Sequence, residues 1–156
     1  MKIILANDHG GYHMKKELAA NLAAMGHEII DIGAHSEASV HYPVLGREAA
    51  ERLAAGEADR AILICGTGIG MCLAANTVRG VRCINCTEPY TALLSRRHND
   101  ANALALGARV VGIELAMMII ETWLAAEFEG GRHATRVDML TAMKAAASAY
   151  AAPDAL

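Results

Sequence analysis

Short apolar runs alternate with longer amphipathic segments along this chain. The short runs are typical of buried strands, whereas apolar residues at helical spacing, such as Met14, Leu18 and Leu22, predict helices. Strands are predicted at residues 3–6, 27–32, 61–65, 81–86 and 103–106. Helices are predicted at residues 14–25, 43–53, 71–76, 89–97, 113–128 and 135–149.

This alternation of strands and helices predicts an α/β fold. Parallel strands need crossover connections, and the crossover helices cover both faces of the sheet. Residues 61–65 are apolar throughout, which is typical of a central parallel strand. We therefore predict one domain over residues 1–156, with a five-stranded parallel sheet between two helical layers. The last helix follows Gly130 and Gly131 and has no strand after it, so we expect it to pack on a partner subunit or on its own core.

The composition excludes several classes of function. The 156 residues are 54% hydrophobic, which is too apolar for a disordered chain. Fourteen basic and 17 acidic residues give a net charge of −3, and aromatic residues make up only 4%, so a nucleic-acid partner is not expected. No export signal or membrane-spanning stretch is predicted. The four cysteines lie in apolar segments, which favours reduced thiols and a cytoplasmic location.

The sharpest local signal is a glycine-rich loop after the third strand. Ligands of open parallel sheets bind beyond the carboxyl ends of the strands. Gly66, Gly68 and Gly70 let the backbone approach a ligand closely, and the loop leads into a helix N-terminus that favours an anion. Met71 stands where a dinucleotide fingerprint has its last glycine, and no Gly-Lys-Ser/Thr sequence follows. A plain strand-to-helix turn is the alternative interpretation.

Cys65 ends the third strand beside that helix N-terminus, a setting that favours the thiolate. A buried apolar cysteine is the alternative, and it is the interpretation we give to the other three cysteines. Cys83 and Cys86 have the spacing of a metal or redox pair. Both lie in a predicted strand, where residues three apart point to opposite faces, so no metal site is expected.

Charged residues that could act on a substrate lie at three other places. Asp8 and His9 follow the first strand, and His98 precedes the fifth; these types serve as general acids and bases. Arg132 and Arg136 are four residues apart near the start of the last helix and share one face. Cations there oppose the helix dipole, which favours a bound phosphate, although a solvated arginine pair is the alternative.

Taken together, these residues resemble the ribose-5-phosphate isomerase type B family, which includes the galactose-6-phosphate isomerase subunits. The matching stretches follow the family's order up to about residue 145. They are Asp8-His9-Gly10-Gly11, residues 64–70, Ala74-Ala75-Asn76, Glu88-Pro89-Tyr90, and residues 95–102, 106–112 and 128–133. The resemblance implies a flavodoxin-like (Rossmann-like) sheet. It also implies a homodimer, possibly a tetramer, with active sites at the interface.

The resemblance further implies aldose–ketose isomerisation of a sugar phosphate through an enediolate, without metal or cofactor. Cys65 would be the base that moves a proton between C1 and C2. His98 of the other subunit would open the sugar ring, with Asp8 nearby. The implied contacts to the phosphate are His9, Arg109, Arg132 and Arg136. The implied contacts to substrate hydroxyls are Thr67, which is counted among the catalytic residues, and Asn99. The enediolate oxygen would be held by Gly66, Gly68, Ile69 and Gly70, and Tyr42 would line the cleft.

Two departures from the family pattern leave the sugar open. His41 precedes Tyr42 where the family commonly has aspartate, and Thr77 follows Asn76 where lysine is frequent. Ribose 5-phosphate is the expected substrate, with a tetrose 4-phosphate, allose 6-phosphate or galactose 6-phosphate as alternatives. A non-catalytic flavodoxin-like binding module is the other class considered. Against it, Cys65 stands where a phospho-receiver has a carboxylate, and one Trp and one Phe give little to stack on a flavin.

Overall fold

The computed structural model describes residues 1–150, with side chains described through residue 146. Residues 151–156 of the predicted domain lie outside this part. Each predicted strand and helix is present. The strands are β1 (Lys2–Asn7), β2 (Glu28–Asp31), β3 (Arg60–Cys65), β4 (Cys83–Asn85) and β5 (Ala103–Gly107). The helices are α1 (Tyr12–Ala24), α2 (Tyr42–Ala54), α3 (Ile69–Ala75), α4 (Pro89–Asn99), α5 (Ile113–Ala125) and α6 (Arg132–Tyr150).

The strands form one parallel sheet in the order β2-β1-β3-β5-β4. This confirms the three-layer flavodoxin-like fold, with the last two strands exchanged relative to the order 2-1-3-4-5. The exchange places the end of β5 beside the end of β3, where Cys65 pairs with Gly107. The carboxyl edge of the sheet therefore gathers the loops after β1, β3 and β5.

Helices cover both faces because right-handed crossovers place a helix according to the direction in which the chain moves. α1 and α4 connect strands in one direction, and α2 and α3 connect them in the other. One apolar cluster joins Ile62 to Leu18 of α1 and Trp123 of α5. The other joins Leu63 to Leu53 of α2 and Met71 of α3. α6 lies outside both clusters and contacts α4.

Most element ends lie one to three residues from their predicted positions, and those of α5, α6 and β4 are among the larger differences. α5 ends at Ala125 rather than residue 128, because the chain turns extended at Ala126 and the amide of Glu129 donates to the carbonyl of Arg97 at 3.0 Å. α6 begins at Arg132, three residues earlier than predicted. β4 begins at Cys83, because the amide of Val81 closes a turn onto the carbonyl of Val78.

Within the chain, α6 is tied down by Lys144. Its ammonium donates to the carbonyls of Val78 at 3.1 Å and Val81 at 2.6 Å. Packing of α6 on a partner subunit stays a prediction. Among the described helices, none combines the length and apolarity needed to cross a bilayer.

Candidate active site

The candidate site lies where the connections from two neighbouring strands leave in opposite directions. β1 leads towards β2 and its neighbour β3 leads towards β4, so a crevice opens between the two loops at the carboxyl edge. Asp8 lies in the first loop and Cys65 at the start of the second. The loops touch: a Cβ on Gly10 would lie 3.1 Å from the amide nitrogen of Gly66.

Asp8 is fixed by the turn that follows it. Its Oδ1 accepts hydrogen bonds from the amides of Gly10 at 2.8 Å and Gly11 at 3.2 Å. Its own amide donates to the carbonyl of Ile64 at 3.1 Å, which ties the β1 loop to β3. Asp8 is buried, with 7% of the residue exposed to solvent. The carboxylate is therefore held in one orientation at the rim of the crevice.

Cys65 lies at the centre of the crevice and is also buried. The amide of Gly68 donates a hydrogen bond to its sulfur at 3.1 Å. Gly68 has φ of +80°, so the turn that aims this amide at the sulfur requires a glycine. The next residues begin α3, whose first amides have no partner inside the helix and can receive an oxyanion.

Four of the predicted site residues lie in or beside this loop, namely Thr67, Tyr42, Arg109 and His9. The Tyr42 ring lies against Gly70, where a Cβ would be 2.8 Å from the ring. Arg109 lies beside Gly66, and its amide donates to the carbonyl of Gly66 at 3.0 Å. The Thr67 side chain and Ile69 are exposed, and the imidazole of His9 accepts from the amide of Val40 at 3.4 Å. These residues form one half of the predicted site.

The other half of the predicted site lies at the opposite edge of the sheet. α4 starts after β4 and ends before β5, so His98 and Asn99 at its end lie at the amino edge. The adjoining residue Asn102 accepts from Ala61 at the start of β3, which fixes this position. Arg132 and Arg136, in the first turns of α6, lie near His133 and belong to the same group. One chain therefore does not bring His98 to Cys65.

Two residues without a predicted role complete the amino-edge group. The ring of His133 stacks on that of His98, with centroids 4.2 Å apart and planes 1° from parallel. The carboxylate of Glu129 lies 3.6 Å from Nε2 of His98 and 3.8 Å from Nε2 of His133. Burial lowers the pKa of His133, and His98, Arg132 and Arg136 lower it further, while Glu129 raises it. Glu129 and His133 both fall in residues 128–133, a stretch that matches the family pattern, and this match was the sequence signal that could have found them.

The amino-edge group has the ligand types of a metal site but the charge of an anion site. The ligand atoms of His98, Glu129 and His133 all lie within 4.8 Å of one another, close enough for one ion. Glu129 is already paired with Arg97, and Arg132 and Arg136 add two further positive charges. The net positive charge favours a phosphate at this edge over a cation.

Two of the remaining cysteines, Cys83 and Cys86, are buried thiols. Cys83 lies in one apolar cluster and Cys86 in the other, so the two do point to opposite faces of the sheet. The pKa of Cys83 is raised well above its usual value, first by the hydrogen bond between Cys83 and Cys72 and then by burial. Burial also raises the pKa of Cys86. Neither is suited to act as a base near neutral pH.

Comparison with known proteins identifies the family to which this fold belongs. The model of the Ribose/Galactose Isomerase family matches residues 3–140. The chain belongs to this family of isomerases. Ribose-5-phosphate isomerase B of Escherichia coli (strain K12) is 50% identical over 143 residues, covering 92% of this chain and 96% of the relative. The structure of Clostridium thermocellum ribose-5-phosphate isomerase B superposes with a TM-score of 0.93 at 53% identity, covering 94% and 99% of the two chains.

Membership of the ribose/galactose isomerase family confirms the assignment to aldose–ketose isomerases that act on sugar phosphates. It supports the isomerase over the alternative of a non-catalytic binding module. Members of the family differ in their sugar. D-erythrulose-4-phosphate isomerase 2 of Mycolicibacterium smegmatis is 39% identical over 132 residues, covering 83% of this chain and 87% of the relative.

Proposed function

We propose that this chain converts ribose 5-phosphate to ribulose 5-phosphate in a homodimer with two shared active sites. Each site combines the carboxyl edge of one copy with the amino edge of the other. The observation that carries the proposal is the placement of Cys65, with its sulfur bonded to the Gly68 amide, at the end of the sheet opposite to His98 and the two α6 arginines of the same chain. The amino-edge group of a second copy would supply these three residues.

Ring opening is the first step on a furanose. His98 donates a proton to the ring oxygen, the bond between that oxygen and C1 breaks, and Asp8 accepts the proton of the O1 hydroxyl. The product is the open-chain aldehyde. The fixed orientation of Asp8, set by the amides of Gly10 and Gly11, suits it to this proton transfer.

Isomerisation follows on the open chain. The Cys65 thiolate takes the proton from C2, and the electron pair moves through a C1–C2 double bond onto O1. The Gly66–Gly70 loop stabilises the resulting enediolate with its amides. The proton then returns to C1, O2 becomes the carbonyl oxygen, and the proton of the O2 hydroxyl ends on O1. No metal or cofactor takes part in this scheme.

The phosphate is held by guanidinium groups from both copies. Arg109 and His9 lie on the carboxyl edge, and Arg132 and Arg136 come from the amino edge of the partner. Asn99 arrives with His98 and, together with Thr67, contacts substrate hydroxyls. Tyr42 closes the cleft beside Gly70. We place the enzyme in the cytoplasm, in keeping with its free cysteines.

A coupled assay across four-, five- and six-carbon sugar phosphates tests the proposal. We expect the highest kcat/KM with ribose 5-phosphate, unchanged by a chelator. A higher value with a tetrose 4-phosphate, allose 6-phosphate or galactose 6-phosphate would replace the substrate and keep the chemistry. Sedimentation of the purified protein as a fully active monomer would overturn the shared site.

A further inference from the structure

Glu129 is the one acidic side chain that the described structure places against the His98 ring. The charged groups around the stacked pair of His98 and His133 come from each element packed there: Arg97 on α4, Glu129 on the α5–α6 loop, and Arg132 and Arg136 on α6. Three of these are permanent cations. The carboxylate of Glu129, with an oxygen 3.6 Å from Nε2 of His98, places a negative charge beside that imidazole among these cations.

Glu129 is itself held in place by Arg97, the residue before His98. The guanidinium of Arg97 donates to Oε1 of Glu129 at 2.5 Å, and the amide of Glu129 donates to the carbonyl of Arg97 at 3.0 Å. These two bonds leave Oε2 facing the two histidines. The loop thus presents one carboxylate oxygen to His98 in a fixed position.

The His133 ring fixes the plane of the His98 ring. The two rings are parallel and in contact, and His133 is buried. Arg132 lies 3.5 Å from Nε2 of His133 and can donate to it, an arrangement that suits the neutral imidazole. Stacking against this buried ring therefore holds the His98 ring in one orientation.

We propose that Glu129 is a positioning residue that, together with His133, holds His98 as an oriented, protonated acid for opening the sugar ring. The inference rests on the proposed function. It assigns Glu129 no contact with the substrate and no part in the proton transfer at Cys65. Loss of its charge should therefore impair ring opening and spare isomerisation of open-chain sugars.

The test compares Glu129→Gln, Glu129→Asp and the exposed control Glu127→Gln on two substrates. Ribose 5-phosphate is largely a furanose, whereas D-erythrose 4-phosphate has no free O4 and cannot close one. We expect Glu129→Gln to lose about tenfold in kcat/KM on the furanose and under twofold on the tetrose. In the pH profile of kcat/KM on the furanose, the alkaline limb of Glu129→Gln should move to lower pH than that of the wild type, because the lost carboxylate no longer favours the protonated acid. Glu129→Asp should restore much of the activity on the furanose and much of the wild-type pH profile. Glu127→Gln should match the wild type in both measurements.

The outcomes separate failure of this inference from failure of the proposed function. Wild-type protein inactive on ribose 5-phosphate at every pH would overturn the function itself. A second result would overturn only this inference. If the wild type is active, but Glu129→Gln loses equally on both substrates and its pH profile does not move, then Glu129 only forms an ion pair with Arg97. Where tetrose turnover is too slow to measure, the pH profile alone decides. Circular dichroism of each variant shows whether a loss reflects unfolding.

Discussion

The amide of Gly68 donates a hydrogen bond to the sulfur of Cys65 at 3.1 Å, three residues along the same loop. This contact holds the sulfur in one position at the start of the loop. At the start of α3, next in the chain, the amide of Ile69 donates to Oγ1 of Thr67 at 3.4 Å, and those of Gly70 and Met71 have no partner inside the helix and can receive an oxyanion. One short loop therefore supports both the base and the negative charge that the base creates.

Replacing Cys65 with serine should abolish most isomerisation and preserve the fold. A hydroxyl at this position is a far weaker base at neutral pH than a thiol. We expect kcat to fall by far more than tenfold, a change equivalent to about 1.4 kcal/mol of barrier per factor of ten. The half-buried Cys72 provides the control, and Cys72→Ser should keep nearly full activity. Retention of more than about a tenth of kcat in Cys65→Ser would show that another group is the base.

Gly68→Ala should be costly where Gly80→Ala is mild. Both glycines have positive φ, of +80° and +78°, so both substitutions strain the backbone by about 1–2 kcal/mol. A Cβ at Gly68 would also lie 2.2 Å from Oδ1 of Asn85 and 2.9 Å from the carbonyl carbon of Leu106, whereas Gly80 faces open space. We expect urea unfolding to show a larger stability loss for Gly68→Ala, with activity lost only in that variant. Equal stability losses in the two variants would mean that the loop around Gly68 shifts to accommodate the added Cβ.

The sequence predicted the sheet well because its signals are local. Residues 61–65 are apolar without interruption and occupy a central strand, and Gly26 and Gly56, both with positive φ, lie just beyond the ends of α1 and α2. The end of α5 was wrong because it depends on a distant partner. Residues 126–128 show no helix-stopping signal, and the chain leaves the helix to bring Glu129 to Arg97 on α4.

The candidate site was predictable in its residues more than in its arrangement. Asp8 and Cys65 lie together because β1 and β3 are neighbours, which the strand order had to show. His98 and the two arginines are placed at the other edge by the direction of α4, since a crossover helix returns the chain to the amino edge. Glu129 and His133 were missed as functional residues because their contacts with His98 cross between elements far apart in sequence.

The stability of the protein should fall on acidification through His133. Its folded-state pKa is lowered from the ordinary value of 6.5, first by burial and then by the neighbouring cations. Below pH 6.5 the unfolded chain binds a proton that the folded protein resists, so stability decreases as pH falls through this range. We expect urea midpoints measured at pH 7, 6 and 5, at one protein concentration, to fall less steeply for His133→Asn. An identical slope would show that this ring is not held neutral.

Mixing two inactive variants should restore activity if the site is shared. Cys65→Ser and His98→Asn each disable both sites of a homodimer, but a heterodimer has one site with both residues intact. Random exchange makes about half of the dimers mixed, so about a quarter of wild-type activity should return. A site contained in one chain would give no recovery. Native mass spectrometry confirms exchange, which makes a negative result informative.

Arg136 and Arg132 should act as the phosphate ligands of the amino edge. Both lie at the start of α6, where cations are unfavourable to the helix dipole, and each guanidinium–phosphate contact contributes about 1.5–3 kcal/mol. We expect Arg136→Ala to lower kcat/KM for the sugar phosphate by roughly ten- to a hundredfold. Inorganic phosphate should inhibit the wild type competitively and lose potency in this variant.

Arg47 provides the matched control for the loss of one arginine. It is an exposed residue of α2 whose partner is Glu51, one helical turn away. Because Arg47→Ala removes the same charge from the protein's surface, any general electrostatic effect on an anionic substrate should appear in it as well. We expect the inhibition constant for phosphate to be unchanged in Arg47→Ala and raised in both Arg132→Ala and Arg136→Ala. An unchanged constant in all three would leave the two α6 arginines as a solvated pair, and the phosphate would then be held by Arg109 and His9 of a single chain.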